Sequence, residues 1–256
     1  MILSRIIHHL KTQNWTAVGL EFLIVISGIV IGFQVNGWAE RQAETERSHA
    51  YLERLVSDME VNRTRYARSL AFRAGVQALG VEALSYAAGT ATPPSEWQVV
   101  LAYYNASQVG GPVAVSSTYD ELIATGDLRL LQNAEVTSQL SAYYGASGLD
   151  LVVNQHNPYR ENVRSIIPFR IQQYIWASCY GVTPGVDQTL IACEAPDASN
   201  ALPDGLADRL LSDSPLNQEL TFWMSSLLVA RTIEASNLAL TETLLATLQA
   251  ELGGAE

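Results

Sequence analysis

The sequence predicts an all-α protein, with a single N-terminal transmembrane helix that continues into an extramembrane helical bundle. Three observations predict this class. Apolar residues are concentrated in one run near the N-terminus, later apolar residues recur at steps of three and four, and no convincing strand alternation is present. The predicted parts are an amphipathic interfacial leader (1–14), a transmembrane helix (15–38) and a periplasmic α-helical domain (39–252).

The transmembrane helix is predicted from residues 15–38, WTAVGLEFLIVISGIVIGFQVNGW, in which Glu21 is the only charged residue. A helix of this length extends roughly 35 Å, and a bilayer hydrocarbon core is about 30 Å thick. Trp15 and Trp38 stand where interfacial aromatic residues occur in membrane proteins. The alternatives are a buried helix of a soluble protein and a secretory signal peptide. The long apolar run and the poor cleavage sequence GWA at its end argue against the signal peptide.

The leader, residues 1–14, supports a membrane location independently. A helix over this segment carries most of its basic residues away from a face of five apolar residues: Ile2, Leu3, Ile6, Ile7 and Leu10. Such a helix suits the surface of a lipid bilayer, and this argues against the soluble alternative.

Orientation is predicted from the same region. Lysine and arginine are similarly frequent near both ends of the span, so the positive-inside rule does not decide between the two orientations. The short basic leader, the absence of a second predicted span and the pair of cysteines favour a cytoplasmic N-terminus. We therefore expect a single-pass protein of the bacterial inner membrane with its main domain in the periplasm.

One face of the predicted span is suited to helix packing. Glu21, Gly28 and Gly32 share this face, since seven residues turn a helix by nearly two full turns and four by slightly more than one. Small residues let a second helix approach closely, and a carboxyl group near the membrane favours a partner or the headgroups. The functional interpretation is a contact with another membrane-protein subunit or with a second copy of the chain. The alternative is a chance GxxxG spacing with Glu21 at the inner interface.

The two cysteines, Cys179 and Cys193, bracket a segment rich in Gly, Pro and Asp. Such a segment turns easily and brings two thiols together. We expect a disulfide, worth roughly 3 kcal/mol for a loop of this size in an oxidising compartment. Two unrelated reduced cysteines are the alternative.

Capping residues divide much of the later chain into helices. Ser95 is a natural N-cap for a helix that begins at Glu96. Thr118 is predicted to cap a helix that Gly126 stops, and Asn133 is predicted to cap the next one.

Two long amphipathic helices are predicted in the chain after the span. The first follows the span, and its apolar stripe is Leu52, Leu55, Met59, Asn62, Tyr66 and Leu70. The last begins near Pro215, with the stripe Leu220, Trp223, Leu227, Ala230, Ile233, Asn237, Leu240, Leu244 and Leu248. We expect this helix to pack on residues 41–84. Residues 149–178 are also helical in pattern, with a break at Pro168, and residues 179–214 are expected to be rich in loops.

Composition excludes several functions. The net charge of −11 argues against nucleic acid as a partner, because a polyanion needs clustered Lys and Arg. The sequence lacks HExxH, CxxC, phosphate-binding glycine motifs and GxSxG, so we predict no metal, no cofactor and no enzymatic activity. The weak alternative is His156 as a general base oriented by Asp120 or Glu121.

Seven aromatic residues allow two interpretations. They are Tyr103, Tyr104, Tyr143, Tyr144, Trp176, Phe222 and Trp223. At helical spacing we expect core or interface positions, and the alternative is the lining of a ligand pocket.

The N-terminal run HLKTQNWTAVGLEFLIVISGIVIGFQVNGWAERQAETERSHAYLERLVSDMEVN resembles an uncharacterised family of membrane-anchored proteins from Gram-negative bacteria. Those proteins share a basic leader, an acidic residue at the start of the span, a glycine-containing apolar run, a Gln/Asn-Trp exit and a long charged helix. The segments TYDELIATGDLRLL and AYY are also similar, so the resemblance covers most of the first 145 residues. It implies the anchored topology and assigns no catalytic residue.

These observations lead to two hypotheses about function. The first is a non-enzymatic structural or accessory subunit of an inner-membrane complex, respiratory or photosynthetic, which docks through its transmembrane helix. The second is a periplasmic ligand-binding or sensory module, which requires a concave aromatic pocket between helices of the bundle.

Overall fold

The computed structural model describes residues 15–145, 157–183, 187–197 and 201–254. Within these ranges the chain forms eight α-helices: α1 (Trp15–Ala87), α2 (Glu96–Ala106), α3 (Ser117–Thr125), α4 (Ala134–Gly145), α5 (Pro158–Ile166), α6 (Phe169–Ser178), α7 (Leu206–Ser212) and α8 (Ser214–Gly254). A 3₁₀-helix, Asp127–Leu130, follows α3. Strands β1 (Tyr180–Thr183) and β2 (Asp187–Leu190) pair antiparallel. The all-α class and the long apolar N-terminal helix are confirmed.

The chain divides into two compact units, Met1–Tyr51 and Leu52–Glu256. In the first unit, α1 exposes its apolar residues along the predicted span; Phe22, Ile24 and Phe33 are 66%, 63% and 73% exposed. By length and composition, α1 is the one helix of the described chain that is apolar enough to cross a membrane. The second unit contains the hydrophobic core.

The end of α1 is fixed by Gly89, which adopts φ +68°. Two residues past the end of the helix, this left-handed conformation lets the Thr90 amide donate to the Ser85 carbonyl, at 3.0 Å. That bond is typical of a Schellman ending, in which glycine is favoured because it has no Cβ.

The capping predictions have mixed outcomes. The Ser95 hydroxyl accepts from the Gln98 amide at 3.3 Å, and the Asn133 side chain accepts from the Glu135 amide at 2.9 Å, so both caps are confirmed. Thr118 as an N-cap is wrong, because α3 begins one residue earlier and Thr118 is buried inside it. Its amide donates instead to the Asp58 carboxylate of α1, at 3.3 Å.

The stop of α3 at Gly126 is confirmed, since this residue ends the helix at φ +73°. Pro168 separates α5 from α6 as predicted, and Pro215 lies in the first turn of α8, where its missing N–H costs no helical bond.

The hairpin of β1 and β2 was not predicted. Its register pairs Tyr180 with Leu190 and Gly181 with Thr189. Each strand has four residues, which is too short to establish an alternating pattern. The hairpin and α7 replace part of the expected loop region.

α1 and α8 pack side by side, as predicted, and the two helices run in antiparallel directions. Ser69 and Arg73 of α1 contact Glu234 of α8. Further along α1, Arg231 Nη1 donates to the side-chain oxygen of Gln77 at 2.5 Å. Near the end of α1, a Cβ on Gly80 would overlap the Met224 sulfur. Glycine at this position therefore permits close approach of the two helices.

The predicted apolar stripe of α8 is correct at both ends and differs in the middle. Leu220, Leu227, Leu244 and Leu248 are buried, whereas Leu240 is 47% exposed and Thr241 is buried beside it. The polar residues Glu234 and Thr241 occupy interior positions that the apolar pattern assigned to their neighbours.

Candidate functional site

The predicted packing face of α1 is open. Glu21, Gly28 and Gly32 all lie on exposed helix. A Cβ built on Gly28 or Gly32 meets no atom of the described chain within 4 Å. The three residues are available to a second helix, and their role in packing stays a prediction.

The structure contains the disulfide that the cysteine spacing predicts. Cys179 caps the end of α6, and its bond to Cys193 closes the segment that holds the β1–β2 hairpin. The Cys193 carbonyl accepts from the indole N–H of Trp97 on α2 at 3.4 Å. The disulfide thereby ties the hairpin segment to two helices of the core.

Most of the aromatic candidates are core residues. Tyr103 and Tyr104 are fully buried, and Tyr143 and Trp223 are nearly so. Burial raises the pKa of Tyr103 to about 12, while its hydroxyl donates to the Asn217 side chain at 2.5 Å.

The remaining aromatic candidates differ in exposure. Phe222 is 69% exposed and Trp176 is 40% exposed. Tyr144 stacks on Tyr119 with a centroid separation of 4.6 Å, and its hydroxyl donates to the Val115 carbonyl. The seven residues therefore do not converge on one pocket.

The catalytic alternative stays untested, because His156 lies outside the described residues. Asp120 accepts from the Ser116 hydroxyl at 2.6 Å, and Glu121 forms a two-pronged ion pair with Arg54. No group of three or more His, Cys, Asp or Glu side chains suited to a metal occurs among the described residues.

A buried ion pair joins α1 to α8. Arg73 Nε lies 2.8 Å from Glu234 Oε2, and the two side chains are 2% and 0% exposed. The Ser69 hydroxyl donates to the other carboxylate oxygen at 2.6 Å. Arg73 Nη2 has no hydrogen-bond partner in the described chain. Charge attraction therefore holds the pair, and loss of one partner would leave the other uncompensated in the core.

Polar contacts continue from this pair along the interior. The Thr241 hydroxyl donates to Tyr143 at 3.1 Å, which connects α8 to α4. Asn62 exchanges two hydrogen bonds with the backbone of Val115, at 2.6 and 3.0 Å. Burial, and next the nearby Tyr143, raise the pKa of Tyr66 well above its usual value. A polar seam therefore runs between α1, α4 and α8.

This seam was not predicted from the sequence, although one signal was visible. Glu234 lies among the apolar residues of the α8 stripe, at a position between Ala230 and Asn237. A carboxylate on an apolar face requires a buried partner or a shifted pKa. Its partner Arg73 is distant in sequence, so the pair itself could not be predicted from the sequence.

Two arginines on successive turns of α5 form a second polar cluster. Arg160 Nη1 donates to the Ser107 carbonyl at 2.6 Å, and Arg164 Nε donates to the Ser107 hydroxyl at 3.2 Å. Arg164 Nη2 donates to Gln108 Oε1 at 3.1 Å, and its guanidinium lies 4.8 Å from the Tyr104 ring centroid. This cluster was not predicted from the sequence.

A cavity of about 370 Å³ lies between α1 and β2. It is lined by Arg68, Ala71, Phe72, Gly75, Gln188, Thr189 and Leu190. Phe72 is the one aromatic residue among its described lining residues, so the cavity differs from the aromatic pocket that a ligand-binding module was expected to have.

Fold and site together define a helical-bundle protein with a disulfide-linked hairpin and one helix that is suited to crossing a membrane. No protein-family model, no curated protein and no solved structure matches the chain.

Proposed function

We propose that the chain is a non-enzymatic accessory subunit of a bacterial inner-membrane complex. Residues 15–38 cross the membrane with the N-terminus in the cytoplasm, and the helical bundle lies in the periplasm. The observation that carries this proposal is the open face of Glu21, Gly28 and Gly32 on the apolar segment 19–36, whose residues are all exposed. Glycines in a span favour close approach of another helix.

The disulfide supports the periplasmic side. Such bonds persist in oxidising compartments such as the periplasm and are rare in the cytosol. Cys179 and Cys193 both follow the span, so the bundle and the disulfide lie on the same side of the membrane.

The outer face of α8 supports docking outside the membrane. Its exposed positions from 221 to 240 carry no charge, although the chain has a net charge of −11: Thr221, Phe222, Ser225, Leu228, Val229, Thr232, Ala235, Ser236, Ala239 and Leu240. This face is about 30 Å long. Depletion of charge is typical of the core of a protein–protein interface. Its expected occupant is the extramembrane part of the subunit that binds the span.

A matched pair of variants tests the role of the span. Gly28→Leu/Gly32→Leu blocks the open face, whereas Gly19→Leu places the same side chain half a helical turn away, where a Cβ also meets nothing. We expect the double variant to recover at least about tenfold less of a defined partner subunit after mild detergent extraction. Gly19→Leu is expected to recover it normally.

Two outcomes would contradict the accessory role. One is a wild-type chain that remains monomeric in several mild detergents. The other is a homodimer as the sole complex, because the span would then bind a second copy of itself.

The cavity beside β2 favours a second function, a periplasmic ligand-binding module. Its apolar part is formed by Phe72, Gly75 and Leu190, and Gln188 adds a buried side-chain oxygen that has no hydrogen-bond partner in the part of the chain that the structure describes. A small molecule that fills this cavity would raise the melting temperature of the full chain without a partner subunit.

A further inference from the structure

The cluster around Arg160 and Arg164 is built at the end of another helix. Both guanidinium groups donate to Ser107, the C-cap residue of α2. Arg164 also donates to Gln108, the next residue. Ser107 and Gln108 are 0% and 2% exposed, whereas the two arginines are half-buried. Two partly exposed arginines therefore contact two buried residues.

Within the described ranges, the positive charge of this cluster is not balanced. Every acceptor of the two arginines is a neutral oxygen, and no carboxylate of the described chain pairs with either guanidinium. The C-terminus of α2 supplies roughly half a negative charge. Two full positive charges thus exceed their compensation by about one and a half units.

The pKa values show the same imbalance. Burial, followed by the neighbouring Arg164, lowers the pKa of Arg160 to about 10. Burial also lowers the pKa of Arg164. Each guanidinium is therefore charged at neutral pH, although its partly buried environment disfavours the charged form.

Hydrogen-bond donors are also in excess. Gln108 Oε1 accepts from Arg164, but the Nε2 donor of the same amide is buried and has no partner among the described residues. Arg160 donates through Nη1 and Arg164 through Nε and Nη2, and no acceptor in the described chain pairs with Nη2 of Arg160 or Nη1 of Arg164. Excess donors and excess positive charge together call for an anionic acceptor.

We propose that Arg160, Arg164 and Gln108 form a binding site for a small oxyanion group, a phosphate or a carboxylate. The alternative is that the arginines only cap α2. Capping explains the bonds to Ser107, but it leaves the second positive charge and the buried Gln108 donor without a function. The site is independent of the proposed subunit role, which uses α1 and α8.

Anion titration of the full chain in a non-ionic detergent tests this site. Inorganic phosphate and acetate are added separately, with sodium chloride used to hold the ionic strength constant. We expect at least one of them to raise the melting temperature with saturation. A response to phosphate alone identifies a phosphate site, and a response to acetate alone identifies a carboxylate site.

Arginine variants locate the response. Arg160→Gln and Arg164→Gln are each expected to weaken anion binding at least about tenfold, because each removes a charge-assisted hydrogen bond. Arg170→Gln is the matched control, because Arg170 on α6 also donates to a backbone carbonyl, that of Ala201 at 2.7 Å. We expect Arg170→Gln to respond like the wild type.

A gain-of-stability variant keeps the test decisive if the arginine variants fold poorly. Gln108→Glu places a carboxylate at the centre of the cluster and removes the unpartnered donor. It is expected to raise the melting temperature without added anion and to abolish the response to phosphate or acetate. Three results would overturn the proposal. Gln108→Glu could lower the melting temperature, or neither phosphate nor acetate could raise it more than sodium chloride does at the same ionic strength. The third result is an equal response to the anion in Arg160→Gln, Arg164→Gln and Arg170→Gln.

Discussion

Glu234→Ala is expected to lower the free energy of unfolding by about 3–5 kcal/mol. The substitution leaves the Arg73 guanidinium, whose side chain is 2% exposed, without its counter-charge in the core. It also removes the acceptor of the Ser69 hydroxyl. Chemical denaturation of the full chain in detergent, followed by helical circular dichroism, measures the loss.

Two control variants isolate the charge effect. Arg73→Met/Glu234→Met removes both charges, and we expect it to be more stable than Glu234→Ala, since no uncompensated ion remains. Glu121→Ala breaks an exposed ion pair, in which the side chains of Arg54 and Glu121 are 48% and 41% exposed. We expect this variant to lose less than about 1 kcal/mol of unfolding free energy. Equal losses in Glu234→Ala and Glu121→Ala would contradict this account of the buried pair.

Cys179→Ser/Cys193→Ser is expected to lower the free energy of unfolding by about 3 kcal/mol. The two cysteines are 14 positions apart, and opening their bond returns conformational freedom to the unfolded chain. The Trp97 indole bonds to the Cys193 carbonyl, so its fluorescence should report the release of this segment. Denaturation with and without a reducing agent measures both effects.

The response to the reducing agent serves as an internal control. Reduction should bring the wild-type chain to the stability of the double serine variant and leave that variant unchanged. If reduction does not alter the wild-type stability, the disulfide does not contribute to the fold as described.

Local signals made the helical fold predictable. Ser95, Asn133, Gly126 and Pro168 act on backbone groups within a few residues, so their effects can be read from neighbouring letters. The Thr118 cap failed because Asp58 supplies the carboxylate from a distant turn of α1. Caps supplied by tertiary contacts leave no local signal.

The candidate site was less predictable because its partners are far apart in the chain. The segment PYRENVRSI shows two arginines four residues apart, which on a helix share a face. Their acceptors, Ser107 and Gln108, lie more than fifty residues earlier and reach them only through packing of α2 against α5. The Arg73–Glu234 pair was hidden for the same reason.

Labelling of one cysteine tests the proposed topology most directly. In the Cys179→Ser variant, Cys193 is a free thiol at a half-buried position beyond the predicted span. In intact spheroplasts of a Gram-negative host, we expect the chain in the membrane fraction and Cys193 labelled by a membrane-impermeant maleimide. Labelling only after lysis, or recovery of the chain in the soluble fraction, would contradict a periplasmic bundle held by a transmembrane helix.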